Sequence, residues 1–363
     1  MPGSEGVISL KKLIAEPISL PRNVALVFAL LAAVSAGFIA SNAVQGDLRP
    51  DVDQLWYAAR AVLEGRNPYE LIGPGREYNY SWQLYYPLPA VLLFTPLAAF
   101  PVIVARVVMA AIASGLLAYG IARCDARGLV VFLTRAFYVN AWYAQWTPLL
   151  VAMWYLPLLA AFVAAKPTIG LAMLTGVREW RLARRGLLLA MALAAIAFVV
   201  RPSWLGEWLA ALGTNTHLRP WLTVTGGPIL LLALLRWRRW EARVFTMFTL
   251  IPQTFHPLAT LPLVLLPGSL IGKATIGALT YLPNWVLVRE PFGSRLATAT
   301  PEEMFSMYGT ILLWCMLLPT LLFILRLPNE GSVPQVVERF IARWPAWIRG
   351  RAPGLSDSGL ERP

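Results

Sequence analysis

The chain has 363 residues, of which 58% are hydrophobic and 14% charged, with a mean hydropathy of +0.59. Soluble domains carry about one quarter charged residues, so this balance excludes an ordinary soluble globule and points to an integral membrane protein. The formal net charge of +12 raises nucleic acid as a partner, but the basic residues fall in short groups between apolar runs, which argues against that class.

Lys11, Lys12 and Arg22 precede a first apolar run at 24–44. That run starts late, is long and lacks a small-residue cleavage site, so it reads as a membrane span and not as a cleavable signal peptide. Further runs at 101–122, 147–165, 186–200, 221–235, 243–266, 270–288 and 304–326 approach or reach the roughly 20 residues that cross the hydrocarbon as helix. The shorter runs 87–100, 129–143 and 167–176 read either as short spans or as re-entrant pieces. The expectation is an all-α polytopic bundle over residues 1–326 with about 8–11 membrane segments, followed by a basic, partly disordered tail at 327–363 that opens with an amphipathic helix near 336–347. Arg123 and Arg127, then Arg178, Arg181, Arg184 and Arg185, then Arg236, Arg238, Arg239 and Arg243 mark cytoplasmic ends by the positive-inside rule. The tail is placed on the same side.

By that rule the first loop, 45–86, is extracytoplasmic, and it holds much of the scarce acid: Asp47, Asp51, Asp53, Glu64, Glu70 and Glu77. Asp51 and Asp53 open an amphipathic helix with Leu55, Trp56, Ala59 and Leu63 on one face and Gly65 at its end. Both carboxylates then stand at the water–membrane boundary, where ionised groups are avoided unless they cap, pair or react. An enzyme working on a lipid-linked substrate needs its base there. Asp51 also suits an N-cap, with Gln54 completing a capping box, and Asp53 in the first turn suits the helix dipole. Capping and catalysis are compatible, because one carboxylate oxygen can take a backbone N–H while the other takes a substrate proton. Asn67-Pro68-Tyr69-Glu70 then turns the chain. Tyr78, Tyr80, Trp82, Tyr85 and Tyr86 follow, which form an interfacial belt or a wall against which a sugar or prenyl chain packs.

Polar residues later in the chain are sparse. Gln145-Trp146 marks an extracytoplasmic turn. Lys166-Pro167 interrupts an apolar stretch, with the lysine either snorkelling or pairing with a phosphate. His256-Pro257 falls inside the 243–266 run, where a proline break beside a polar side chain often lines a cavity; a hydrogen bond to phosphate is the role expected of His256. His217 reads as an ordinary loop residue and Gly226-Gly227-Pro228 as a helix break. With two cysteines, Cys124 and Cys315, and two histidines, neither a disulfide nor a metal centre is expected, nor any cofactor.

The run Asp51-Val52-Asp53-Gln54-Leu55-Trp56-Tyr57-Ala58-Ala59-Arg60-Ala61, then Gly65, Asn67-Pro68-Tyr69 and Tyr85-Tyr86-Pro87, resembles the first-loop signature of glycosyltransferase family 87. These are polytopic enzymes of the GT-C superclass that include bacterial polyprenyl-phosphate-mannose-dependent mannosyltransferases. In that pattern the aspartate after the first span precedes paired alanines, which maps onto Asp51. Gln145, Lys166-Pro167 and His256-Pro257 are looser echoes, and the interval from Gln145 to Lys166 is short by about one helix.

The resemblance implies a GT-C-like bundle in the plasma membrane and a metal-independent, inverting transfer on the extracytoplasmic side. The donor is a polyprenyl-phosphate hexose, mannose by analogy, and the acceptor a lipid or glycan. In such a reaction the acceptor hydroxyl needs a base. Asp51 is the first candidate and Asp53 the secondary one. The leaving phosphate needs cations or donors, for which His256, Lys166, Arg60 and Lys273 are candidates, with Tyr69, Tyr85, Tyr86 and Gln145 lining the substrate. A transporter or flippase would instead carry internal repeats and ionisable groups at the midplane, whereas here the acids concentrate in one loop. A non-catalytic scaffold is separated from an enzyme by assay.

Overall fold

The computed structural model describes residues 17–43, 49–215, 218–287 and 300–331, with 338, 339, 342–345 and 349 of the tail. His217, Asp47 and half of the expected helix near 336–347 lie outside the described residues. The elements that position the site are α1 (Arg22–Ser41), α2 (Val52–Leu63), α3 (Val102–Cys124), α4 (Arg135–Trp142), α5 (Pro167–Leu174) and α6 (Trp180–Val200). Among the described residues α1, α3, α6 and Ser306–Leu325 are long and apolar enough to cross a membrane. The described residues are mostly helical, with two short two-stranded pairings among them.

Helix α1 packs on α3 through small residues. Ala25, Ala32, Ala36 and Ala40 recur at heptad-like spacing and are buried, and the open edge of Gly37 faces Val107 at 3.2 Å while that of Gly115 faces the Ala29 carbonyl at 3.3 Å. Small residues let backbones approach where no hydrophobic drive separates helix from lipid. The opposite face of α1 carries Leu30, Leu31, Val34 and Phe38, 60–71% exposed, as expected of side chains that meet acyl tails.

Apolar runs outside the four long helices are interrupted. Residues 147–174 fold as Thr147–Ala152, a 3-10 stretch Pro157–Ala165 and α5; each begins with a proline at its first or second position, where the missing N–H costs nothing but the preceding helix cannot continue. The 243–266 run divides into Trp240–Leu250, a strand pair and the pieces Pro257–Thr260 and Leu261–Leu265. That strand pair joins Leu218–Arg219 to Gln253–Thr254 in antiparallel register, Leu218 facing Thr254. The 270–288 run divides into Leu270–Leu279 and Leu282–Leu287. Each piece is shorter than a bilayer crossing, so apolar runs and spanning helices are not in one-to-one correspondence.

The first loop folds back on α2. The helix stops in a Schellman arrangement: Gly65 N–H bonds Val62 O at 3.0 Å and Arg66 N–H bonds Ala61 O at 2.8 Å, with Gly65 at φ +71°. Only glycine takes that conformation without cost. Asn67 then caps Pro68–Leu71 by accepting from Tyr69 N–H at 3.1 Å. Ile72–Gly73 pairs in parallel with Tyr78–Asn79, and the Tyr78 ring stacks on Tyr57 of α2 at 3.6 Å between centroids.

Helix α6 lies against Pro157–Ala165 through Gly186, where an added Cβ would stand 2.5 Å from the Leu158 carbonyl oxygen. Because backbone meets backbone there, Gly186→Ala should lower thermal stability in detergent by about 1–3 kcal/mol. Gly206→Ala, with nothing within 4 Å, should leave the unfolding midpoint unchanged or slightly raised.

Candidate active site

Asp51 precedes the first residue of α2, but it does not cap the helix. Its backbone is already helical, φ −59° and ψ −28°, whereas a capping side chain needs the extended conformation to reach back to the first N–H groups. Backbone carbonyls meet those groups instead: Asp53 N–H bonds Pro50 O at 3.0 Å and Gln54 N–H bonds Asp51 O at 3.2 Å. Gln54, the expected partner in a capping box, donates to Trp82 O at 3.2 Å. The Asp51 carboxylate is therefore released from the cap and turned inward.

There it meets residues from distant parts of the chain. Gln145 Nε2 donates to Asp51 Oδ2 at 2.5 Å, and Lys166 Nζ donates to Gln145 Oε1 at 2.7 Å. The Lys166 ammonium also lies 5.9 Å from the centre of the Tyr86 ring. Tyr80 Oη is 3.3 Å from Asp51 Oδ1 and 2.8 Å from Arg49 O; its single proton goes to the nearer carbonyl. Among the described residues Oδ1 is thus left with only this long contact to Tyr80. Burial pushes the Asp51 carboxyl above its ordinary range, against the opposing effects of Lys166 and of the Gln145 and Tyr80 contacts.

Gln145 follows Ala144, a non-glycine residue at φ +48°. An L-residue in the left-handed region costs about 1–2 kcal/mol, and the turn is held by Ala144 N–H to Ala141 O at 3.1 Å and Gln145 N–H to Asn140 O at 2.9 Å. On the other side of Ala144, Tyr143 is within electrostatic reach of both Asp51 and Tyr308. It lines a cavity of about 240 Å³ together with Arg135, Tyr138, Trp142, His256, Asn284 and Tyr308. His256 Nδ1 accepts from Leu258 N–H at 3.3 Å, so in the neutral ring the proton sits on Nε2. Arg135 is oriented by the Asn284 amide oxygen, which accepts from Nε and Nη2 at 3.0 and 3.1 Å, and its guanidinium lies over the Tyr138 ring at 4.9 Å. Among the described residues Arg135 has no carboxylate partner. A cation, an imidazole N–H and phenol hydroxyls around one cavity make a setting suited to an anion.

The structure thus brings together Asp51, Gln145, Lys166 and Tyr86, with His256 in the adjoining cavity. Other candidates lie elsewhere or are engaged. Asp53, expected at the helix dipole or as a secondary acid, is 2% exposed and bound through both oxygens by Arg106 Nε and Nη2 at 2.7 and 2.6 Å, so it is engaged in a buried ion pair. Arg60 is exposed, stacked over Trp56 at 5.0 Å, in an open groove with Leu63, Glu64 and Phe100, and nine residues along the helix from Asp51, or about 13 Å. Leu63, expected on the buried face, is 63% exposed. Lys273 donates to Leu265 O and Pro267 O at 2.8 and 2.7 Å and has Asp125, Arg127, Glu241 and Arg178 as its charged surroundings, at the far end of α3. Tyr69 is buried and donates to the Tyr86 carbonyl at 3.1 Å, so it supports the site wall. Tyr85 contributes its carbonyl, which accepts from Trp208 Nε1 at 3.0 Å.

No model of a known protein family, no curated protein and no solved structure matches the chain. Among the described residues no group of three His, Cys, Asp or Glu side chains could hold a metal ion. Sequence reasoning misses Arg135, Tyr143, Tyr308 and Asn284, and reads Tyr80 only as part of the aromatic wall. For Arg135 a signal existed: it is the one charged residue inside the 129–143 run.

The Asp53–Arg106 pair yields a stability prediction separate from the site. Removing one partner of a buried pair strands the other charge and costs about 3–5 kcal/mol, whereas replacing both is often nearly neutral. Arg106→Met should therefore lower unfolding stability in detergent by about that amount, and Asp53→Leu combined with Arg106→Met should recover most of it.

Proposed function

We propose that the chain is a membrane glycosyltransferase of the GT-C kind, similar to family 87, that transfers a hexose, mannose by analogy, from a polyprenyl-phosphate sugar to a lipid or glycan acceptor. The observation that carries this reading is Asp51 Oδ1, a carboxylate oxygen whose one contact among the described residues is Tyr80 Oη at 3.3 Å, beside a cavity that offers Arg135 and His256 to an anion. In the reaction the acceptor oxygen attacks the anomeric carbon with inversion and its proton passes to Asp51 Oδ1. The bond from the anomeric carbon to the phosphate oxygen breaks, and polyprenyl phosphate leaves with the electron pair. His256 Nε2–H and the Arg135 guanidinium meet the charge that develops on that oxygen.

The proposed site is extracytoplasmic, in the plasma membrane. In support of that side, α3 starts beside the first loop and ends at Cys124, next to Asp125 and Arg127, and its 23 residues reach about 34 Å. The basic groups gather at that far end, as the positive-inside rule requires of a cytoplasmic face.

Purified protein should transfer label from polyprenyl-phosphate mannose to a membrane lipid extract. Transfer from nucleotide sugar alone, without polyprenyl phosphate, would overturn the donor assignment. Asp51→Asn should abolish transfer. Burial holds the Asp51 carboxyl up, so the native state keeps this proton to higher pH than the unfolded chain does. Wild-type rate should then rise as pH climbs through the raised value, while wild-type stability falls across the interval between the ordinary and raised values. Asp51→Asn should lose that decline and be at least as stable as wild type above it. Near-wild-type activity in Asp51→Asn would remove the base. His256→Ala should slow transfer by roughly two to three orders of magnitude. In a Cys124→Ala, Cys315→Ala background on intact cells, an impermeant maleimide should label Ser81→Cys and not Arg181→Cys; the reverse pattern would put the site on the other side.

A further inference from the structure

We propose that Lys166 and Gln145 are positioning residues that act as one clamp on Asp51: the ammonium fixes which way the amide faces, and the amide fixes which carboxylate oxygen is free to react. This rests on the glycosyl-transfer reading for its consequence and on geometry for its existence. A glutamine amide between a lysine and a carboxylate has one workable orientation. The ammonium has only donors and must meet Oε1, at 2.7 Å; the carboxylate has only acceptors and must meet Nε2, at 2.5 Å. Gln145 is 1% exposed, so both contacts are made by an amide shielded from bulk solvent. Its backbone is set by the left-handed turn at Ala144, a strained conformation kept beside a site being a recurrent sign that the following side chain must point one way. Lys166, at φ −145° and ψ 78°, is kept out of the helical region by Pro167 after it, and from there its ammonium reaches Gln145.

This differs from the phosphate-binding role that the sequence suggests for Lys166. Its ammonium is engaged by Gln145 and the Tyr86 ring, whereas Arg135 pairs with no carboxylate among the described residues and lines the adjoining cavity. The groups that face Asp51 are Lys166 from the start of α5, Tyr80 and Tyr86 from the first loop, Tyr143 before the strained turn, and Asp53 on its own helix. Asp53 is neutralised by Arg106, which leaves Lys166 as the one cation among the groups that act on Asp51.

Two readouts test the clamp, one of them without substrate. Infrared difference spectra of wild type against Asp51→Asn give the Asp51 carboxyl band, and its decay with pH gives the titration midpoint in detergent with no donor or acceptor present. Removing a nearby opposite charge disfavours the ionised acid. Lys166→Met should therefore move the midpoint up by about one pH unit, and Lys166→Arg should leave it near wild type. In transfer assays Lys166→Met should shift the acidic limb of kcat by the same amount and recover toward wild-type rate at alkaline pH, with donor KM within about twofold. Gln145→Leu, which removes the orienting donor, should lower kcat at every pH without such recovery. If Lys166→Met does not fold, Lys166→Gln keeps a donor, removes the charge and carries the same expectation. An unmoved midpoint in the charge-removing variant, or a rise confined to donor KM, would overturn the clamp and return Lys166 to the phosphate. A moved midpoint in a protein that transfers no sugar would uphold the clamp and sink the proposed reaction.

Discussion

Two carboxylates stand two residues apart at the start of α2, and the cost of burying charge governs what each becomes. Desolvation of an ion is worth several kcal/mol and must be offset by a partner or relieved by protonation. Asp53 is offset directly: Arg106 reaches it from α3 in a two-point contact, which ties the first loop to a long helix and ends the chemistry of that carboxylate. Asp51 is offset only in part. Its nearest cation is held one glutamine away, so it keeps a raised proton affinity and an oxygen with unused lone pairs. The same residue type, within one turn, serves as an anchor in one position and as a candidate base in the other, and the difference lies wholly in the partner.

The prolines that break the apolar runs serve this arrangement. A continuous helix satisfies its own backbone and points side chains outward, whereas interrupted backbone is tolerated at membrane depth only where it faces protein or a cavity. Pro167 and Pro257 each follow a polar candidate directly, and the residues before them, Lys166 at φ −145°, ψ 78° and His256 at φ −141°, ψ 150°, both have non-helical backbone. Their side chains thus leave the helical surface and reach toward the interior. The exposed leucines and valines of α1 and α6 meanwhile keep the outer face apolar, so polar chemistry is confined to the inside and to one end.

What could be read from sequence was local. The period of α2, its stop at Gly65 and the cap at Asn67 depend on neighbours within a few residues, and the singularity of Asp51 depends on its place after an apolar run. The capping box looked sound for the same local reason, yet it failed because capping depends on one pair of dihedral angles that no residue pattern specifies. Contacts across the chain were not legible: nothing in the sequence says that Arg106, 53 residues away, selects Asp53 over Asp51. Lys273 and Arg60 drew attention as scarce cations, but a cation is scarce in any membrane chain, and theirs are taken by carbonyls and by an indole face. The number of spans was not legible either, since hydropathy measures how apolar a run is and not whether its backbone stays helical across a proline.

The turn at Ala144 joins the two halves of the site. Tyr143, before it, lines the arginine–histidine cavity; Gln145, after it, holds the carboxylate. An inverting displacement needs its base and its leaving group on opposite faces of one carbon, and a relative error of about 1 Å between them can cost a hundredfold in rate. Placing Tyr143 and Gln145 on either side of a single buried residue makes the separation of these two supports a property of three consecutive peptide units. The strain at φ +48° is then the cost of a short ruler. A glycine there would relieve the strain and widen the range of angles open to the turn, which is the freedom that such a ruler has to exclude.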